Sequence, residues 1–249
     1  MSSNSQIDLT SIGLKKNYLY EILATTFSMD NNLIVPNTAS MGVRLVEKKN
    51  MKIWPYPSTK TYKNVEDSRF VVVNLIDDVY LYAVASLKGS NFSKLDEALS
   101  EKQYNYYNLN VNDAYKDFAR RITTAESIKL PYLKQSWAII VCLATNINHI
   151  LREDDFGKFK LMEIDLTVIC YQKFRESFKL YNRAENLALE TIVLATKLNV
   201  AILKKEEAFI RKIKTKIDEN FSAIKRFGKN LSALKVIEHI QEYIKGLET

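Results

Sequence analysis

The sequence predicts an α+β fold in which a β-rich region, about two thirds of the chain, precedes a helical one. Residues 160–171 alternate apolar and polar side chains, as a half-buried antiparallel strand does. From about residue 178 onward, apolar residues recur at helical spacing instead. Because helices do not alternate with the strands, we expect the strands to close, or partly close, into a barrel, which removes exposed sheet edges.

Five further segments are rich in β-branched and aromatic residues and predict strands, at 18–26, 40–46, 70–76, 79–85 and 136–147. A turn is expected at 48–50, and Asp77-Asp78 favours a hairpin turn over a paired-carboxylate site. A helical excursion near 94–128 is predicted to interrupt the strands. It comprises a short helix over 94–100 and one that Asn112 can cap, with an apolar face of Tyr115, Phe118, Ala119 and Ile122.

The last part of the chain predicts three amphipathic helices. The first is apolar on two sides, so we expect it to lie between layers. A break at 227–230 separates a basic second helix from the third. These patterns predict a barrel domain over 12–177 and a helical domain over 178–249, packed together tightly because no Pro/Gly linker joins them.

Composition and motifs exclude several classes of protein. With 47% apolar and 26% charged residues among 249, the chain is that of a folded globular protein. Its 6 glycines are scattered, so neither the dinucleotide-binding GxGxxG nor a Walker A loop can form. The sequence also contains no CxxC, HExxH or GxSxG pattern. We therefore expect no metal site and no serine hydrolase of that type.

The sequence favours a cytoplasmic protein with no membrane segment. The longest uninterrupted apolar run, 137–144, is far shorter than the roughly 20 residues of a membrane-spanning helix. Residues 1–9 are polar and include an acid, unlike a signal peptide. Two sparse cysteines suit a reducing compartment.

The chain has a net charge of +7, and its densest cluster of basic residues lies at 204–216, on the second amphipathic helix. Such clusters are usually solvated faces. Nucleic-acid binding is therefore the less favoured interpretation of this helix.

Two segments, 35–43 and 55–65, are unusually polar and turn-rich, and they contain three of the 4 prolines. The second suits a phosphate group: Thr59 and Thr61 offer hydroxyls, Lys60 and Lys63 offer charge, and Asn64 offers an amide. Taken alone, these residues favour a solvated Thr/Lys loop over a phosphate site.

Four short motifs resemble, in their order and spacing, those of a largely archaeal protein family. This family is classified as a domain of unknown function and consists of split-barrel, flavoprotein-like proteins. The motifs are PNTASMG at 36–42, PYPSTKTYKN at 55–64, VVNLIDDV at 72–79, and YNRA at 181–184 with ATKL at 195–198. The resemblance spans most of residues 12–200. Ser40 stands where the family usually has proline.

The resemblance implies an FMN-binding split β-barrel followed by a C-terminal helical domain, in a homodimer with FMN near the interface. It implies that Thr59, Thr61 and Asn64 hold the phosphate and ribityl chain, and that Ser40, Met41 and Gly42 present backbone groups to the flavin ring. Gly42 also permits close backbone approach to a flat ligand. Further implied contacts are Asn37, Tyr62, Asn74, Asn182 and Arg183. For Arg183, a salt bridge that packs the domains is an equal alternative.

The leading hypothesis is an FMN-binding flavoprotein of the flavin-reductase-like type, an oxidoreductase with an unidentified small-molecule substrate. No catalytic residue is predicted, because flavin chemistry belongs to the cofactor while the protein supplies orientation and electrostatics. The alternatives are a non-catalytic flavin-binding or assembly protein, which the serine at position 40 motivates, and a nucleic-acid binder that uses the basic helix.

Overall fold

A computed structural model of the protein describes residues 7–31, 33–87, 99–154, 157–177, 183–227 and 230–247. Contacts divide the chain into two compact units, residues 1–76 with 101–176 and residues 77–100 with 177–249. Residues 77–100 thus join the helical unit, whereas the sequence placed them in the barrel domain. Most of the short helix predicted over 94–100 lies outside the described residues.

The first unit is built around a closed antiparallel barrel. The strands of this unit are β1 (Leu19–Asp30), β2 (Leu33–Glu47), β3 (Asn50–Ile53), β4 (Phe70–Leu75), β5 (Tyr104–Asn110), β6 (Ser127–Leu133), β7 (Ala138–Asp154) and β8 (Gly157–Lys173). The barrel order is β1-β2-β3-β8-β7-β4, and β4 pairs back with β1. This confirms the predicted α+β barrel and five of its six predicted strands.

The barrel interior is filled by every second residue of its strands. Ala24 of β1 lies opposite Val73 of β4, and both belong to the buried interior core together with Ile140 of β7. A 3-10 helix, Leu9–Ile12, and the helix α1, Lys60–Ser68, also contribute apolar side chains to this core. Helix α1 is therefore held against the barrel by burial of its own apolar face.

A second buried cluster lies on the outward face of β1, β4 and β7. Here β5 and β6 pair as a two-stranded sheet and, with the short helix α3 (Lys116–Ala119), cover that face. Phe70 and Val72 of β4 pack in this cluster, while the alternate residues Val71, Val73 and Leu75 pack in the interior core. All residues of β4 are therefore buried, which explains its continuous apolar run.

Among the described residues of the excursion predicted to be helical, only 104–110 and 127–128 belong to strands, and turns and short helices make up most of the rest. In the described part of the excursion, α3 is the one α-helix and Glu101–Gln103 form a 3-10 helix. Asn112 does not cap α3: its Oδ1 accepts from the Ala114 N–H at 3.0 Å in a local turn. β5 and β6 pair residue for residue from Tyr104 with Leu133 to Asn110 with Ser127. The apolar face predicted after Asn112 is confirmed, because all four of its residues pack in the second cluster, although the helix is shorter than expected. The strand over residues 104–110 was missed despite its aromatic, strand-forming content.

The second unit contains α2 (Val79–Ser86), α4 (Arg183–Leu203), α5 (Glu207–Arg226) and α6 (Leu231–Leu247). The strand and hairpin predicted over 79–85 are wrong. Asp78 instead caps α2, where its side chain accepts from the Tyr80 N–H at 2.9 Å. Six of the eight residues of α2 are buried, and α2 packs against α4 and α6, so it is apolar on every side and shows no helical period.

The three helices predicted after residue 178 are confirmed. The buried residues of α5 follow the predicted stripe, with Ile213, Ile217, Phe221 and Ile224 packed inside the unit. Among the described helices, α4 is the one long and apolar enough to cross a membrane, by length and composition only. Its apolar residues are not contiguous, so no long apolar run marks this helix in the sequence. Seven of its residues are buried in the unit.

His239 of α6 predicts a pH dependence of stability. Its side chain is buried with its edge against the Tyr80 ring, at 5.8 Å between centroids, and its Nε2 has no hydrogen-bond partner in the described structure. Burial lowers the pKa of His239 below its ordinary value of 6.5, while the nearby Glu242 opposes this shift. A lowered folded-state pKa means that stability is complete above about 6.5 and is lost as the pH falls below it.

The measurement is the melting temperature of the protein between pH 7.5 and 5, at about half-unit steps. We expect the His239→Phe variant to lose part of the decline seen in the wild type. His149 is exposed and the other of the 2 histidines, so His149→Asn is the matched control and should keep the full decline. Equal declines in the wild type and the His239→Phe variant would contradict this prediction.

Candidate functional site

One edge of β2 pairs with a neighbouring strand over only a short part of its length. β2 pairs with β1 from Leu33 to Arg44, but with β3 only from Val43 to Glu47. No strand in the described part of the chain pairs with the other edge of residues 33–42. In an antiparallel strand, alternate residues direct their N–H and C=O groups to opposite edges. The segment that contains Asn37 and Gly42 therefore offers backbone donors and acceptors along this edge.

Residues 59–64 form the start of a helix, which corrects the expectation of a loop. Thr59 is the N-cap of α1: its Oγ1 accepts from the Tyr62 N–H at 3.3 Å and donates to the Tyr56 carbonyl at 2.7 Å. Helix geometry leaves the N–H groups of Lys60 and Thr61 without intrahelical acceptors. A helix N-terminus with such groups favours an anion, so the phosphate hypothesis keeps a physical basis.

Asn37 and Thr61 are brought together from two separate segments. The Asn37 Nδ2 donates to the Thr61 Oγ1 at 3.1 Å. Thr61 is only 2% exposed, and its hydroxyl hydrogen has no acceptor in the part of the chain that the structure describes. This hydroxyl is covered by the protein and lies where the edge of β2 meets the first turn of α1, so a ligand oxygen can reach its hydrogen only if the covering side chains move.

Asn64 was predicted to contact the cofactor, but its amide is turned into the barrel wall. Its side chain is buried, and its Nδ2 donates to the Thr26 Oγ1 at 3.1 Å. The Thr26 hydroxyl in turn donates to the Asn37 carbonyl at 3.4 Å. Asn64 therefore holds α1 against β1 and β2. Its amide bonds to the protein and supports the position of α1 in the candidate site.

Asn74 was also predicted to contact the cofactor, but the structure places its amide inside the protein. Its side chain is 0% exposed and both ends of its amide are used within the protein. The Nδ2 donates to the Leu23 carbonyl at 2.8 Å and to the Thr25 Oγ1 at 2.9 Å. The Oδ1 accepts from the Leu133 N–H at 2.8 Å and from the Ser136 hydroxyl at 3.1 Å. Asn74 thus joins β1 and β4 to the end of β6.

The side chains of residues 40–42 are already engaged in the protein. Ser40 donates a hydrogen bond to Glu21, and Met41 packs on the interior core. At Gly42 an added Cβ would come within 3.0 Å of the Leu19 Cδ1, and Leu19 is 61% exposed. The missing side chain therefore makes room for a surface leucine. This segment can offer a ligand its backbone, as the resemblance implied.

Three other predicted contacts are placed as follows. Tyr62 donates its hydroxyl to Glu66 at 3.0 Å and packs its ring on the interior core. Arg183 is the first residue of α4 in the second unit, where its guanidinium lies 4.2 Å from the centroid of the Phe227 ring. Neither of the alternatives for Arg183 anticipated this cation–π contact. Asn182 lies outside the described residues.

A buried hydroxyl network, which the sequence analysis missed, steadies β2. The Thr38 hydroxyl is 2.7 Å from that of Thr25 and 2.9 Å from that of Tyr104. Burial raises the pKa of Tyr104, so its phenol stays protonated at neutral pH. The signal in the sequence was the pair Thr25-Thr26 in an otherwise apolar strand, because buried hydroxyls need partners.

The connection that leads into α1 is anchored on the outer surface of the barrel. Trp54 donates its Nε1 to Glu163 at 3.1 Å, and Lys52 lies 2.7 Å from the same carboxylate. These hydrogen bonds lower the pKa of Glu163. The guanidiniums of Arg44 and Arg152 lie over the Trp54 ring, at 5.5 and 4.9 Å from its centroid. The start of α1 therefore follows an anchored segment.

The topology, with a six-stranded antiparallel barrel and additional helices, defines a split-barrel protein of the α+β class. The chain belongs to the family described as "Protein of unknown function (DUF447) N-terminal domain", which matches residues 20–169. This confirms the family resemblance drawn from the motifs.

Two relatives extend the comparison over most of the chain. An uncharacterized protein of Methanocaldococcus jannaschii is 26% identical over 208 residues, which cover 84% of this chain and 89% of that protein. A family member from Methanosarcina mazei, whose crystal structure is described as FMN-bound, has 21% identity and a TM-score of 0.65. That comparison covers 95% of this chain and 100% of the other, and it supports the fold.

Proposed function

We propose that the protein binds FMN where the open edge of β2 meets the N-terminus of α1. The observation that carries this proposal is the hydroxyl of Thr61, which is held by Asn37 and has a hydrogen to donate. Family membership supports it, because the Methanosarcina mazei relative is described as FMN-bound.

The donor set fits the three chemical parts of FMN. The N-terminus of α1 suits the phosphate dianion, because its N–H groups and helix dipole both favour negative charge. Thr61 suits an oxygen of the phosphate, beside those N–H groups. The edge of β2 that no described strand covers suits the flavin ring, whose heteroatoms need backbone donors and acceptors.

When bound, FMN supplies hydride and electron transfer, and the residues of the chain bind and orient it. The first turn of α1 holds the charged end, while Asn37 orients the Thr61 hydroxyl. Asn64 and Thr26 keep α1 in place, so the donors are positioned before the ligand arrives. Such preorganisation reduces the entropy lost on binding.

We further propose that the protein is a cytoplasmic oxidoreductase of the flavin-reductase-like type, working as a homodimer on a small molecule. The resemblance of its motifs to that superfamily supports this. Turnover assays test this proposal: the oxidation of NADH or NADPH is measured with free FMN as the electron acceptor.

The test of cofactor binding is the visible spectrum of the purified protein, followed by titration with FMN. We expect flavin absorbance as purified, or saturable FMN uptake on reconstitution. A protein that shows no flavin and takes up none would rule out the proposal.

Two alternatives remain as competing proposals. Ser40 in place of the family's proline favours a non-catalytic flavin-binding or assembly protein, which clear NADH or NADPH turnover would exclude. Nucleic-acid binding by α5 is less favoured, because acids interleave with its cations, as in the Lys216–Glu219 pair at 2.9 Å. A gel shift that stays flat at low salt would remove it.

A further inference from the structure

A cavity of about 590 Å³ in the first unit lies between the β1–β2 hairpin and the segment that joins α3 to β6. Its lining includes the apolar residues Met29, Ile34 and Ile128 and the cations Arg120, Arg121 and Lys129. Cavities of roughly 300–1,000 Å³ are typical of small-molecule sites.

The cations of this cavity have no acidic partners. No carboxylate lines the cavity among the described residues, and Arg120, Arg121 and Lys129 form no ion pair there. The nearby Lys116 is paired with Asp113 at 2.9 Å, and Glu126 lines an adjoining cavity, to which Arg120 also contributes. Three unpaired cations at one concavity attract an anion.

The cavity also contains hydroxyls and one preorganised guanidinium. The Arg121 guanidinium lies 5.4 Å from the centroid of the Phe118 ring, a contact that limits its motion. Thr124 and Ser127, which carry hydroxyls, are also among the residues that line this cavity. Guanidinium groups and hydroxyls together are the donors that typically bind phosphate.

The apolar wall distinguishes this cavity from a site that binds only inorganic anions. Met29 is 40% exposed although it is large and apolar, and it lies directly opposite Ile34 in the β1–β2 ladder. An inorganic anion gains nothing from such a wall, whereas the flat face of a nucleobase does. We propose that this cavity binds a phosphorylated nucleoside, with the phosphates on the cations and the base against Met29 and Ile34.

The cavity is separate from the proposed FMN site. Ile34 lies three residues before Asn37 on β2, which is roughly 10 Å along a strand. An odd separation also places the two side chains on opposite faces of the strand. The proposal therefore does not rest on flavin binding.

The experiment is isothermal titration of the full chain with ADP, adenosine and pyrophosphate at low salt, with and without FMN. We expect saturable binding of ADP, with adenosine and pyrophosphate each weaker by about tenfold or more, because each lacks one half of the recognised chemistry. ADP affinity should fall as salt increases.

The decisive variant is Arg120→Gln with Arg121→Gln, expected to weaken ADP binding about tenfold or more. The matched control, Arg44→Gln with Arg152→Gln, also removes two charges, from guanidiniums stacked on a ring elsewhere in the unit. It should leave ADP binding within about twofold. Met29→Gln should weaken ADP binding and leave pyrophosphate unchanged.

Several results would overturn the inference: no ADP binding at low salt, equal affinity for ADP and pyrophosphate, or an equal loss in the control pair. If the Arg120/Arg121 variant does not fold, Lys129→Gln and Met29→Gln provide the same comparison. FMN titration of the same samples keeps the two proposals distinct, since loss of FMN binding alone would leave this inference intact.

Discussion

Replacement of Thr61 by valine is expected to weaken FMN binding by about one to two orders of magnitude. Valine keeps the shape of the buried side chain but removes the hydroxyl that Asn37 orients. A hydrogen bond to a charged group is worth roughly 1.5–3 kcal/mol, which gives this range of affinity. The measurement is FMN titration followed by flavin fluorescence, with the melting temperature as a check on folding.

Two comparisons make this prediction specific. Thr61→Ser keeps the hydroxyl and should restore most of the affinity. Riboflavin lacks the phosphate, so it should bind the wild type and the valine variant about equally. An equal loss of riboflavin and FMN would mean that Thr61 supports the fold or touches the ring, contrary to the phosphate assignment.

Thr59 is unsuitable for the same experiment. It caps α1, so Thr59→Ala would cost about 1 kcal/mol of helix stability and displace the first turn. A change in FMN affinity at Thr59 would therefore mix a lost ligand contact with a disordered helix start.

Replacement of Asn74 by alanine is expected to lower the free energy of unfolding by about 4 kcal/mol. The change leaves the Leu133 N–H and the Ser136 hydroxyl without their acceptor in a fully buried place. It also removes the donor that reaches the Leu23 carbonyl. For a chain of this length, the melting temperature should fall by roughly 8–16 °C.

Urea denaturation of the wild type and the variant measures this loss. Asn148 of β7 is exposed, so Asn148→Ala is the matched control and should change stability by less than about 0.5 kcal/mol. A loss at Asn74 no larger than that of the control would show that the amide is not the joint between β1, β4 and β6. Such a result would reopen its assignment as a cofactor contact.

Much of the fold could be predicted because its signals are local. The alternation over 160–171 and the helical period after residue 178 each report one buried face, and the structure confirms both. α2 could not be predicted in this way. Its eight residues are mostly buried by other helices, so no solvent-facing side remained to show a helical period.

The candidate site shows the same difference between residues that local sequence reveals and contacts that only packing decides. Asn37 and Thr61 could each be selected from their motifs, 24 positions apart in sequence, without any indication that they touch. Asn64 and Asn74 carried the same polar signal in the sequence, yet the structure turns both of them inward. A polar side chain in a motif does not reveal whether its partner is a ligand or a buried group of the protein.

By itself, the sequence determined the α+β class, five of the six barrel strands, the C-terminal helices and the two segments that hold the candidate site. Local periodicity and turn chemistry are sufficient for these. Only the tertiary structure decided that β2 extends beyond its pairing with β3 and so has an open edge. It also decided that α1 begins beside this edge. Those features depend on strand register and on which elements pack together, and residues far apart in the chain set both.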